Sequence, residues 1–211
     1  MTWILPMALA GVIAVLDWWA VATDRRDVER WAKPAVMVFL IAAAVLIPAE
    51  SDWVRWWIVI GLAFGLAGDV LLFADRFIPG AAAFLVGHLA YVAALVVVPQ
   101  EPRGLLVGAV IVLLVAGLVG RKIVARAWAK APLLGGIVAA YMAVIGVVVI
   151  LAVGSTSTVA AIAALLFLTS DALLAWARFV GPAPGGRVTV MVTYQLAQAG
   201  FVLAIPTLVF A

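Results

Sequence analysis

Apolar stretches of about twenty residues recur from one end of this 211-residue sequence to the other, separated by short polar connections. A bilayer core about 30 Å thick is crossed by ~20 residues of α-helix, and backbone in lipid must satisfy its hydrogen bonds internally. The repetition therefore predicts an all-α, polytopic membrane protein, a bundle of about eight transmembrane helices. The segments run roughly 3–22, 34–49, 54–74, 79–98, 104–120, 132–152, 158–179 and 188–210. The second is the shortest and is closed by Pro48, Glu50 and Asp52. Charged residues make up only 11% of the chain and hydrophobic ones 68%, whereas a soluble domain carries roughly 25% charged residues. The connections leave no room for a soluble domain, so 1–211 reads as a single transmembrane helical domain. Met1-Thr2-Trp3 opens directly into apolar sequence without a basic lead, which predicts a retained span rather than a cleaved signal peptide.

Basic residues set the expected orientation, because cytoplasmic loops are enriched in Lys and Arg. The connections after segments 1, 3, 5 and 7 hold Arg25, Arg26, Arg30 and Lys33; Arg76; Arg121, Lys122, Arg126 and Lys130; and Arg178 with Arg187. Only Arg55 and Arg103 of the 13 basic residues fall on the other side. This places both termini outside and the odd-numbered connections in the cytoplasm of a cell (plasma or inner) membrane. Basic residues scattered over short loops also argue against a nucleic-acid partner. Gly61, Gly65 and Gly68 give the third segment a face of small residues for close helix packing. Tryptophans at 18, 19, 53, 56 and 57 suit interface belts.

Ionisable residues inside a span are costly and mark candidate functional sites. Asp17, Asp69, His88 and Asp171 qualify, together with Ser170, Tyr91, Tyr141, Tyr194, Gln195 and Gln198. At ~1.5 Å of rise per residue from the cytoplasmic end, Asp69 lies about 8 Å deep and Tyr194 about 9 Å. On the same scale Asp171 lies about 12 Å deep, His88 and Tyr141 about 14 Å, and Gln198 about 15 Å. Residues from five helices thus share one layer in the cytoplasmic half, which predicts a polar cavity open toward that leaflet. His88 and Tyr91 at i, i+3, and Tyr194 and Gln198 at i, i+4, each share a helix face. Asp17, near the interface and Asp24, is a secondary candidate. Leu66–Leu72 and Leu168–Leu174 both read L-x-[GS]-D-x-L-L, and each Asp is followed 22 or 23 residues later by a tyrosine in the next span. The echo suggests two aspartates facing each other across a pseudo-twofold axis.

The ordered set of Lys33-Pro34, Gly68-Asp69-x-Leu71, Phe84-x-x-Gly87-His88-x-x-Tyr91, Tyr141, Ser170-Asp171 and Tyr194-x-x-x-Gln198 resembles the YhhN-like lysoplasmalogenase family. The resemblance runs over nearly the whole chain. It implies a hydrolase that cleaves the vinyl ether bond of lysoplasmalogens to a fatty aldehyde and glycerophosphoethanolamine or glycerophosphocholine. Its partners would be a lysophospholipid substrate and membrane lipids, with no cofactor. The residues suit that chemistry. A vinyl ether is cleaved by protonating its β-carbon, and water captures the resulting oxocarbenium ion. One carboxylic acid and one carboxylate can divide those roles without a metal. Asp69 and Asp171 are the expected catalytic pair, with His88, Tyr91, Tyr141, Ser170, Tyr194 and Gln198 in support. Lys33, at the cytoplasmic mouth, is the expected headgroup contact.

A zinc hydrolase is disfavoured by composition, since the chain has a single His and no Cys. The remaining alternative is a proton-coupled transporter or a lipid-binding membrane protein that uses the same Asp/His cluster. Against transport, the outer half of the bundle is apolar in sequence, whereas a pathway needs polar groups at every depth.

Overall fold

The apolar stretches form helices in the computed structural model, which describes residues 2–209, and no strand occurs among the described residues. They are α1 (Ile4–Ala22), α2 (Arg26–Leu46), α3 (Asp52–Phe73), α4 (Phe77–Leu95) and α5 (Pro102–Val115). A π-helical turn (Ala116–Gly120) carries α5 into α6 (Arg121–Lys130), followed by α7 (Pro132–Gly154), α8 (Thr158–Phe179) and α9 (Gly186–Ala204). Counting Pro102–Lys130 as one rod, seven helices among the described residues are long and apolar enough to cross a membrane. The chain is a multi-pass membrane protein.

Local chemistry sets the helix ends. Asp24 and Asp75 take left-handed backbone (φ 54° and 58°), a conformation that Asp tolerates better than most side chains, and they turn α1 into α2 and α3 into α4. Ser51 and Ser157 cap α3 and α8 by accepting from the Val54 and Ala160 amides. Pro132, at the first position of α7, enforces the break after Lys130.

Two boundaries differ from the sequence expectation. The second helix starts at Arg26 rather than near 34, so that Arg26, Asp27, Glu29, Arg30 and Lys33 are helical. This charged opening sets α2 apart from the seven apolar rods. The charges are accommodated because Glu29, 3% exposed, faces the bundle and receives Arg187 of α9 at 2.6 Å. The expected connection 121–131 is also helical through Lys130. Its Ile123 and Ala127 are fully buried, giving the basic segment an apolar stripe that packs on α7 and α8.

Neighbours in the bundle follow the order α1, α2, α3, α4, α7, α8, α9, and α9 returns to α1, α2 and α3. The α5–α6 rod lies outside this ring. Its α5 half packs on α7 and buries only Gly108, while Leu106 and Leu113 face outward.

Helices α3 and α4 pack closely along their length, and glycine permits it. A methyl at Gly61 would overlap the Tyr91 ring, and one at Gly65 would lie 2.7 Å from the Gln198 amide nitrogen. The small face foreseen on α3 is therefore the seat of polar side chains from α4 and α9, as well as a packing surface.

A carboxyl at an apolar cavity and a second behind it

The predicted polar residues do converge, in two groups. The first is built on α8, α7 and α4. The Tyr141 hydroxyl donates to Asp171 Oδ2 at 2.7 Å, and His88 Nε2 lies 3.5 Å from the same oxygen. His88 Nδ1 sits 2.7 Å from the Phe84 carbonyl oxygen, one turn earlier on α4. A carbonyl can only accept, so Nδ1 carries the proton and Nε2 is the atom turned to the carboxyl. The imidazole is held edge-to-face against Phe167 at 4.5 Å and Tyr141 at 5.4 Å.

The second group is built on α2, α3, α9 and α4. Lys33 Nζ meets Asp69 Oδ1 at 2.9 Å, and the Tyr194 hydroxyl donates to Asp69 Oδ2 at 2.8 Å. Gln198 donates to the Tyr194 hydroxyl at 3.3 Å and accepts from the Tyr91 hydroxyl. Tyr91 is stacked on Phe201 at 4.4 Å. The i, i+4 pair Tyr194 and Gln198 thus works as one face, as its spacing implied. His88 and Tyr91 share a face too, but each serves a different group.

An apolar cavity is bounded by α4, α6, α7 and α8, with Leu72 of α3, and about 810 Å³ of space there is unfilled by protein, open solvent included. Phe77, Phe84, Ile123, Ile145 and Leu168 are among its walls, and Asp171 and Tyr141 are the polar residues that line it. Asp69 does not line it. The expectation that both carboxyls share one cavity is therefore corrected. Asp69 has a side chain 1% exposed, and the rings of Tyr194 and Phe84 meet edge-to-face at 5.7 Å beside it. Between the two groups is a narrow gap lined by Gly65, His88, Tyr91, Phe167 and Gln198, with no room for a water molecule.

Three other candidates take structural places. Lys33 is engaged by Asp69 and only 14% exposed, so it does not stand free at the mouth. Ser170 donates to the Val190 carbonyl at 3.1 Å and ties α8 to α9. Asp17 is fully buried and receives Gln195 at 2.7 Å, fastening α1 to α9.

Sequence reasoning missed Phe167, which touches His88, Tyr91 and Tyr194. A phenylalanine inside an apolar run gives no signal. The Glu29–Arg187 pair was missed although a signal existed: Glu29 is in helical register with Ala32 and Val36, all on the buried face of α2.

The sequence model of the YhhN family matches residues 28–205. The curated pig (Sus scrofa) protein lysoplasmalogenase TMEM86B is 34% identical over 135 residues, which is 62% of this chain and 55% of that one. The match thus spans about half the length of the curated relative. No solved structure matches significantly.

Proposed function

Since this chain belongs to the YhhN family, we propose that it is a lysoplasmalogenase, as its pig relative is named, and hydrolyses the vinyl ether bond of a lysoplasmalogen. One observation carries the reading: a carboxyl group, Asp171, stands with a tyrosine hydroxyl on the wall of an apolar cavity, with the His88 imidazole buried 3.5 Å behind it. A single-chain lipid with an acid-labile bond near its polar end suits such a site.

In the proposed reaction Asp171, protonated, delivers its proton to the vinyl β-carbon. The π electrons form the new C–H bond, and the adjoining carbon becomes an oxocarbenium ion. Tyr141, donating at 2.7 Å, stabilises the carboxylate left behind. Water adds to the cation and gives up a proton, with His88 Nε2 beside the carboxylate to relay it. The hemiacetal then collapses to the fatty aldehyde and the glycerophospho alcohol, and Asp171 is reprotonated.

Asp69, which the sequence pairs with Asp171, acts from behind the wall. Its ion pair with Lys33 and its bond from Tyr194 fix the chain Tyr194–Gln198–Tyr91, which packs against His88 and Phe167. We place the site toward the cytoplasmic leaflet of the cell membrane, because Phe77 and Phe179, which line the cavity, stand at the ends of α4 and α8 that carry Arg76 and Arg178.

The test is incubation of purified protein with a lysoplasmalogen or its saturated ether analogue in D₂O. Free aldehyde from the vinyl ether alone, carrying one solvent deuteron at its α-carbon, is expected. Aldehyde without early deuterium would remove protonation at carbon from the mechanism, and no aldehyde at all would remove the activity.

A further inference from the structure

Two cations lie over aromatic rings that line the cavity, and neither has a carboxylate partner among the described residues. Phe77, at the start of α4, and Phe179, at the end of α8, meet edge-to-face at 6.1 Å, and both line the cavity. The Arg178 guanidinium lies over the Phe77 ring at 4.7 Å, and Lys130 Nζ over the Phe179 ring at 5.3 Å. Lys130 also donates to the Arg178 carbonyl at 3.2 Å, so the end of α6 is fastened to the end of α8. Both side chains are exposed. No Asp or Glu of the described residues lies within ion-pair distance of either, whereas Arg187 is neutralised by Asp24 and Glu29. Setting topology requires positive charge at this end of the bundle. It does not require two unneutralised cations seated on the rings that line a cavity, one of them bonded to the main chain of the other.

From this we propose that Arg178 and Lys130 form a subsite for the phosphate ester of a single-chain lipid whose chain enters the cavity. The inference rests on the proposed function and replaces Lys33, which Asp69 occupies, as the headgroup contact. Guanidinium and ammonium groups bind phosphate oxygens by charge-assisted hydrogen bonds, and low-dielectric walls beside them strengthen their field. The spacing fits. Asp171 and Arg178 are seven residues apart on α8, about 10 Å along the axis. In a lysoplasmalogen the phosphorus and the vinyl ether carbon are separated by six bonds, roughly 7 Å in extended form. With the phosphate at Arg178, an arginine side chain folded over Phe77 covers the difference, and the reacting carbons come level with the Asp171 carboxyl.

Binding, read by intrinsic tryptophan fluorescence in mixed micelles, tests this without turnover. The probes are a saturated 1-alkyl lysophosphoethanolamine, the 1-alkylglycerol lacking phosphate, and glycerophosphoethanolamine lacking the chain. The wild type is expected to bind the phospholipid at least tenfold more tightly than the alkylglycerol, and Arg178→Gln/Lys130→Gln to erase that preference. Unchanged alkylglycerol binding in the variant shows that it is folded, and Arg178→Lys/Lys130→Arg should retain most of the preference. A preference that survives in the Gln variant, or one absent from the wild type, overturns the subsite. Glycerophosphoethanolamine competing as well as the lipid would make the site one for soluble phosphate esters and overturn its lipid assignment. A phosphate preference in a protein that releases no aldehyde leaves the subsite standing and removes the hydrolase instead.

Discussion

Asp69 and Asp171 look alike in sequence, each in an L-x-[GS]-D-x-L-L run, yet the structure gives them different surroundings. Asp171 is open to the cavity, so Asp171→Asn keeps the shape and removes the exchangeable proton. Vinyl ether cleavage is expected to fall ~10²–10⁴-fold, with the thermal melting of the purified protein nearly unchanged. Asp69→Asn leaves the largely buried Lys33 beside a neutral group, and breaking a fully buried pair from one side costs about 3–5 kcal/mol, an upper bound here. That variant should melt well below the wild type as well as lose activity. Asp69→Leu with Lys33→Met should recover the melting temperature without the activity, and its failure to do so would show that the pair is not what destabilises Asp69→Asn. The layer of polar residues was legible because a charge at membrane depth stands out against apolar sequence. The division of that layer into two groups was not, because it depends on Phe84 and Phe167, which read as ordinary apolar content.

At the scale of elements, the α3–α4 crossing depends on what is absent from Gly61. Gly61→Leu has to displace the Tyr91 ring, and with it the hydrogen bond to Gln198. Overpacking of this kind costs ~1–3 kcal/mol, so a clear drop in melting temperature is expected. The same change at Gly11, where nothing lies within 4 Å, should leave melting unaltered. Equal behaviour of the two would contradict the packing. Helix existence was readable throughout, since each span is long and apolar. The two misplaced boundaries, at α2 and α6, share a cause: charged residues were read as loop, whereas tertiary partners allow them to remain helical. Glu29 has Arg187, and the basic face of α6 is carried by the buried stripe of Ile123 and Ala127.

At the scale of the molecule, the distribution of Lys and Arg predicts both termini outside and α6 in the cytoplasm. The natural chain has no cysteine, so single cysteines can be placed without further change. A cysteine replacing exposed Arg126 should be labelled by membrane-impermeant maleimide only after the cells are opened. Labelling in intact cells would reverse the orientation. The cavity itself carries a consequence for how such a protein would be saturated. Its carboxyl-bearing wall is set within spans, and two of its lining rings carry cations at the helix ends. A lipid substrate of the proposed kind would reach it by lateral diffusion in a sheet, and its mole fraction among neighbouring lipids would govern occupancy. Added inert lipid would slow turnover at fixed bulk concentration, as surface dilution, and the composition of the leaflet would act as a competitive term in every rate.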